Sequence, residues 1–166
     1  MMKYTFISIL LLSYLNGSGQ KGISVVKITD GITLTGMIEK FNASMHKIDT
    51  CSDNFGNKYI CKIDKKVWYG SDRGLELPRN KLLWLKIKIK NKSIPLNVAG
   101  MFNPAFEYEL SSNQFKLKKG KNGYILYSFF SDGAGTYTAY WEINNYKSHR
   151  ILISTNEKYF SWQLKD

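Results

Sequence analysis

Thirteen carboxylates, two histidines and two cysteines are the groups in this chain that could do acid–base, metal or thiol chemistry. Their spacing supports none of the familiar arrangements. His46 and His149 stand far apart, in neither an HxH nor an HExxH pattern, so no zinc site is implied. No serine occupies a G-x-S-x-G elbow. Glu107 and Glu109 would share one strand face, but an i, i+2 carboxylate pair is too common to mark a glycosidase. The glycine-rich stretches do not lead into helices, so no phosphate-binding loop is expected. Asp132 lies in Ser131-Asp132-Gly133-Ala134-Gly135 and has the setting of a catalytic acid. The same residue in the same setting also closes its own turn through its side-chain oxygen. No cofactor is implied, and the expectation is a protein without enzymatic activity; a site around Asp132 is the lesser alternative.

Cys51 and Cys61 remain. There is no second cysteine pair and no nearby histidine to complete a metal site. The N-terminus reads as a secretory signal peptide over 1–19. Met1-Met2-Lys3 is a positive start, Phe6 to Leu12 an apolar stretch, and Gly17-Ser18-Gly19 supplies small residues before a cut at Gln20. The rival, a membrane anchor, needs about 20 apolar residues, more than this stretch offers. No cysteine at the cut suggests a lipoprotein, and no later stretch is long and apolar enough for a span. The chain is therefore expected in the periplasm or secreted. In that oxidising setting two cysteines ten positions apart read as one disulfide.

A net charge of +11 adds attraction to anionic partners. The charge is concentrated in one stretch. Six basic residues fall between Arg79 and Lys92, and no acid occurs between Glu76 and Glu107. In Leu82 to Lys90, Leu83, Leu85, Ile87 and Ile89 would point one way, and Trp84, Lys86, Lys88 and Lys90 the other. This cationic stripe with one tryptophan suits an acidic protein surface or an anionic glycan. It would equally suit the solvated face of an edge strand, where lysine discourages aggregation. Nothing resembles a basic helix, a zinc finger or an RNP motif, so specific nucleic-acid binding is not expected. Exposed Trp84 or Tyr140 could stack on sugars.

The elements that must carry these residues are strands. The remaining chain, 20–166, is one domain's length. In 124–143 two aromatic, β-prone runs flank the Asp132-Gly133 break. Tyr137, Ala139, Trp141 and Ile143 form a dry face, with Thr136, Thr138, Tyr140 and Glu142 wet. Tyr124 to Phe130 is apolar on both faces, as in a central strand. A first hairpin spans 23–41, with a three-residue loop from Asp30 to Ile32 opposing Ile28 to Leu34. A second spans 46–64, its centre at Gly56 bringing Cys51 opposite Cys61. Residues 65–81 lack periodicity. Asn91-Lys92 turns the chain into Ile94 to Val98. Arg150 to Ser154 is a strand, and Lys158 to Leu164 the last, with Phe160, Trp162 and Leu164 facing in. The expectation is an all-β domain of roughly eight to ten short antiparallel strands, a sandwich or a strongly bent barrel-like sheet.

Two segments carry a resemblance. Ile94-Pro-Leu-Asn-Val-Ala-Gly-Met-Phe-Asn-Pro104 resembles a strand followed by a GMYNP-like bend. Phe130-Ser-Asp-Gly-Ala-Gly-Thr-Tyr137, with Tyr140-Trp-Glu-Ile143 and Lys147-Ser-His-Arg150, resembles an FSDGAGSY…EW pattern. Both are similar to a family of small exported bacterial β-rich proteins with no assigned activity. The resemblance lies in the C-terminal two-thirds and implies no catalytic residue. Tyr146-Lys147 stands where that pattern has a glycine. By analogy, small exported proteins of this kind act as immunity proteins against a competitor's toxin. The expected role is therefore binding of a protein partner with an acidic surface through Trp84, Lys86, Lys88 and Lys90, with Asp132 as a further candidate binding residue and anionic glycan as the alternative ligand.

Overall fold

The structure is a computed structural model that describes residues 21–72, 74–105, 108–130 and 135–163. The expected signal peptide, Glu107, Asp132 and Leu164 lie outside the described residues. Eleven strands among the described residues form three antiparallel sheets. The first sheet has the order β1-β2-β6-β7, from Lys21–Thr29, Ile32–Lys40, Asn80–Ile89 and Lys92–Leu96. The second has the order β11-β10-β9-β8, from Lys147–Ser154, Tyr137–Asn144, Gly123–Phe130 and Phe115–Gly120. The third, β3-β4-β5, comprises Ile48–Ser52, Lys58–Ile63 and Lys66–Val67. It is inserted between β2 and β6. No sheet closes into a barrel.

The two large sheets pack face to face because each presents an apolar row on one side. Leu34, Ile38, Leu85, Ile87 and Ile94 of the first meet Leu126, Phe130, Tyr137, Ala139 and Trp141 of the second in one buried cluster. The dry face expected for β10 is present: Tyr137, Ala139, Trp141 and Ile143 are all buried. β9 lies between β8 and β10, as its two apolar faces require. The third sheet has a small core of its own, Phe41, Ile60, Ile63, Trp68 and Phe102. Gly70 lets the chain pass close to it. Its φ is +95°, and a β-carbon there would lie 2.2 Å from the Phe102 carbonyl oxygen.

One-residue bulges account for most departures from the expected faces. β1 and β2 are joined by the two-residue turn Asp30-Gly31, with Thr29 opposite Ile32, not by a three-residue loop. A bulge between Lys27 and Thr29 absorbs Ile28, so Val26 rather than Ile28 opposes Leu34. In β6 the register shifts between Leu82 and Trp84, leaving Leu82 buried and Leu83 exposed. The Cys51–Cys61 disulfide is formed, but the register pairs Cys51 with Tyr59, and Cys61 sits at the bulge. An extra residue in one strand turns every later side chain to the other face.

The C-terminal segment differs more. Glu157–Tyr159 is a single 3-10 turn followed by further turns, not a strand. It lies against the outer face of the second sheet. Phe129 meets Phe160 edge-on at 5.5 Å, Tyr127 meets Trp162 at 6.3 Å, and the Tyr140 hydroxyl donates to the Tyr159 carbonyl. Thr138, expected wet, is fully buried there, its hydroxyl donating to the Ser128 carbonyl. The turn after β10 keeps left-handed backbone without glycine: φ is +47° at Asn145 and +59° at Tyr146.

Candidate interaction face

β6 is an interior strand, hydrogen-bonded to β2 on one side and β7 on the other. The edge-strand account of its lysines is therefore corrected. Beside the row of Glu39 and Lys81, the register gives the outer face of the first sheet three further cross-strand rows. Ile23, Met37 and Trp84 form the first. Val25, Thr35, Lys86 and Pro95 form the second, and Lys27, Thr33, Lys88 and Ser93 the third. Ile23 is 61% exposed and Val25 71%. Trp84 is half-buried, and the Lys86 ammonium lies 5.1 Å from its ring centroid. That cation already occupies one side of the ring, in an attractive arrangement worth about 0.5–1 kcal/mol at an exposed site.

The face brings together Trp84, Lys86 and Lys88 but not Lys90. The turn after β6 is Lys90-Asn91, one residue earlier than Asn91-Lys92. Lys90 has φ +53° and donates its backbone N–H to the Gly31 carbonyl, so it stands beyond the stripe. The cationic run is also divided by pairing. Arg79 reaches Glu76 at 3.5 Å, and Lys81 reaches Glu39 at 3.0 Å. Across the sheet Lys86 faces Thr35 and Pro95, and Lys88 faces Thr33 and Ser93. Among the described residues no carboxylate pairs with either. What survives of the stripe is two ammonium groups without a carboxylate among the described residues, Lys86 resting on the Trp84 ring, beside an apolar row.

Sequence reasoning missed Ile23, Val25 and Met37. Alternation with the inward Val26 already puts Ile23 and Val25 outside; that they lie in one row-by-row patch with Trp84 and Lys86 follows only from the cross-strand register. The contrast with the opposite side is sharp in chemical terms. The second sheet's outer aromatics are covered by 157–163, whereas no described residue covers Ile23 and Val25 in that way. Tyr140, proposed above as a sugar platform, belongs to the covered face. Burial raises its phenol above the ordinary value, with the Tyr127 neighbour adding to the rise.

At the margin of this face a polar chain leads to the third sheet. Lys81 Nζ, 3.0 Å from Glu39 Oε1, also lies 3.4 Å from His46 Nε2. An ammonium has only donors, so Nε2 accepts and the ring hydrogen on Nδ1 is donated to Asp64 Oδ2 at 2.7 Å. His46 is stacked on Phe41 at 4.8 Å, and its side chain is only 13% exposed. The bond from His46, then the Lys47 N–H, holds the Asp64 carboxyl below the ordinary value. His149 is exposed on β11 opposite Glu142.

Among the described residues no group of three or more His, Cys, Asp or Glu could hold a metal ion. No helix among them is long and apolar enough to cross a membrane. Comparison with protein-family models, with curated proteins and with solved structures gave no match.

Proposed function

We propose that this protein is an exported, non-enzymatic binding protein. It neutralises a protein toxin or an enzyme of the cell envelope, as an immunity protein or inhibitor. It docks through the outer face of the β1-β2-β6-β7 sheet. The observation that carries this reading is the juxtaposition, on a face that no other described element covers, of exposed Ile23 and Val25 with Lys86 and Lys88. Apolar groups supply affinity when they leave water, about 1.5–3 kcal/mol for a fully buried valine or isoleucine side chain. Unpaired lysines at their border supply encounter rate and choice of partner. The complementary surface has an apolar centre and carboxylates placed to meet Lys86 and Lys88. The net charge of +11 draws such a partner in at long range. The Cys51–Cys61 disulfide suits an oxidising compartment.

The deciding experiment is capture by the oxidised chain from lysates of the source cells and of competing cells, at low and at moderate salt. Lys86→Glu/Lys88→Glu and Lys90→Glu serve as parallel baits. One acidic protein retained at moderate salt by the wild type and by Lys90→Glu, and lost by the double variant, supports the reading. Equal retention by the double variant overturns it. Retention only of polysaccharide or nucleic acid, released as salt rises, also overturns it and favours a glycan-binding module.

A further inference from the structure

β1 is the outermost strand of the first sheet and pairs with β2 alone. Among the described residues, its backbone makes no hydrogen bond on the other side. We propose that this free edge takes up an extended acidic segment of the protein partner as a further strand, bonded backbone to backbone. Apolar side chains of that segment lie beside Ile23 and Val25, and a carboxylate lies beside Lys27. The proposal rests on the reading of the outer face as a docking surface and states how the partner engages it.

A strand edge is a row of N–H and C=O groups that any other strand can match, and folded proteins blunt it. The other edges of the sandwich are blunted. β7 carries Pro95, which has no backbone N–H, and the Ser148 hydroxyl of β11 donates to the Pro95 carbonyl. β11 is bulged, its register passing from Arg150 to Leu152 and leaving out Ile151. The Arg150 guanidinium also reaches across to the Asn97 and Ala99 carbonyls. β8 has lysine at 116, 118 and 119. β1 contains no proline, and its register with β2 runs unbroken from Lys21 to Lys27. Its one bulge, at Ile28, lies beside the turn.

What completes such an edge is another extended backbone, because its donors and acceptors repeat at the same spacing. The side chains then select which strand. Ile23, Val25 and Lys27 alternate outward and are exposed, whereas Ser24 and Val26 point inward and are buried. A strand laid alongside sets its own alternate side chains about 5 Å from these. Apolar groups beside Ile23 and Val25 leave water together with them. Lys27 now contacts Asp30 at 2.7 Å, but the two side chains are 71% and 97% exposed, and so exposed a pair yields readily to a new carboxylate. Lys88 stands in the same cross-strand row as Lys27, which keeps the potential there positive. The incoming segment therefore reads apolar-x-apolar-x-acidic, in one chain direction or the other. A second copy of this chain is disfavoured as the occupant, since each copy carries a net charge of +11.

The test is an amide-resolved NMR titration of the oxidised chain, with hydrogen exchange. The probes are Ac-Thr-Asp-Thr-Val-Thr-Val-Thr-NH2, its reversed sequence and the counterpart with lysine in place of aspartate. Two further forms are N-methylated on one or the other alternate set of residues. One direction of the aspartate peptide is expected to give saturable shifts centred on 21–29 and to slow exchange of alternate β1 amides. The lysine counterpart should bind about threefold more weakly or worse. Lys27→Glu should reverse that preference with the melting temperature unchanged, because the side chain is exposed. An added strand bonds along one side only. One N-methylated form should therefore lose about tenfold or more in affinity while the other keeps it. No saturable shift with either direction, equal binding of the two N-methylated forms, or an unchanged preference in Lys27→Glu overturns the proposal. The same shifts on concentrating the chain alone assign the edge to a second copy and also overturn it. Lysate capture that depends on Lys86 and Lys88, while neither peptide slows the β1 amides, overturns strand addition and leaves the docking face standing. Peptide uptake by β1 in a chain that captures no protein supports strand addition and removes the neutralising role.

Discussion

Trp141 and Arg150 are direct cross-strand partners, and both reach the same carbonyl oxygen, that of Asn97. The indole Nε1 donates at 3.0 Å and the guanidinium Nη1 at 3.4 Å, with a further bond from Nη1 to the Ala99 carbonyl at 2.8 Å. Asn97 and Ala99 follow β7, so this pair fastens the second sheet to the margin of the first. Burial pulls the Arg150 guanidinium below its ordinary value, with Tyr69 and Tyr137 opposing that pull.

Trp141→Phe should therefore cost more than the lost area alone. It leaves the Asn97 carbonyl with one donor, and a loss of about 2–3 kcal/mol is expected. Arg150→Met should cost about 1–2 kcal/mol. Because the two share an acceptor, their effects should not add. Urea unfolding of both single variants and of the double variant measures the coupling. Strict additivity would separate the two residues.

Tyr137 offers the opposite case. It is fully buried, and its hydroxyl has no hydrogen-bond partner among the described residues. Burial pushes its phenol far above the ordinary value, with the Arg150 charge as a partial counterweight. Tyr137→Phe removes an unpaired polar atom and keeps the ring against Phe130 and Tyr69. The variant should be more stable by about 1 kcal/mol, and a lower melting temperature would contradict this account.

The disulfide closes a loop with a sequence separation of 10. In the chain-entropy picture its removal costs about 3 kcal/mol. The third sheet has its own small core, so the Cys51→Ser/Cys61→Ser variant should lose order there first. Amide exchange should rise over 48–67 while the amides of β9 and β10 stay protected. Uniform deprotection of all three sheets would show that the insert and the sandwich unfold as one.

Two exposed carboxylates in that insert set its acid response. The Asn57 side chain and backbone, with the Phe55 and Gly56 N–H groups, lower Asp53, and His46 and the Lys47 N–H lower Asp64. A carboxyl whose folded value lies below the unfolded one contributes stability above the ordinary value of 3.8. That contribution is lost as pH falls through the lowered folded value. The hairpin around Asp53 should loosen on acidification below that range, and Asp64→Asn should reduce the acid dependence of the turn at 64–65. NMR shifts followed from neutral pH downward report both. Greater order at the acid end would reverse the sign.

On the outer face, Val25→Lys should leave stability within about 0.5 kcal/mol, because the side chain is 71% exposed. The same change should abolish capture of the partner. A drop in melting temperature without loss of capture would mean that Val25 serves the fold rather than the interface.

The fold class, the central hairpin and the disulfide were legible in the sequence because alternation and turn residues state them locally. The wrong faces trace to bulges. Leu82 and Leu83 are both leucine, so periodicity alone cannot say which one is displaced by the shift before Trp84. Ile28 offered the same ambiguity, and a longer loop set it opposite Leu34 where Val26 stands. Phe160 and Trp162 alternate like a strand. Aromatic rings laid across a sheet by a 3-10 turn produce the same spacing. The site was half legible for a related reason: Lys86 and Lys88 announce themselves, whereas their apolar neighbours come from a strand some sixty positions earlier, joined only by register. Asp132 lies outside the described residues, and the structure carries no argument for it.

The third sheet departs from the sandwich and returns to it at one point, where the Phe41 N–H meets the Arg79 carbonyl at 2.9 Å. This geometry favours one order of events in folding. β2 and β6 are immediate neighbours, yet pairing them first would close a long flexible loop against its entropy. If the stapled hairpin and its small core form beforehand, the ends arrive already side by side and the closure is short. Oxidation of Cys51 and Cys61 should then speed assembly of a sheet to which neither cysteine belongs.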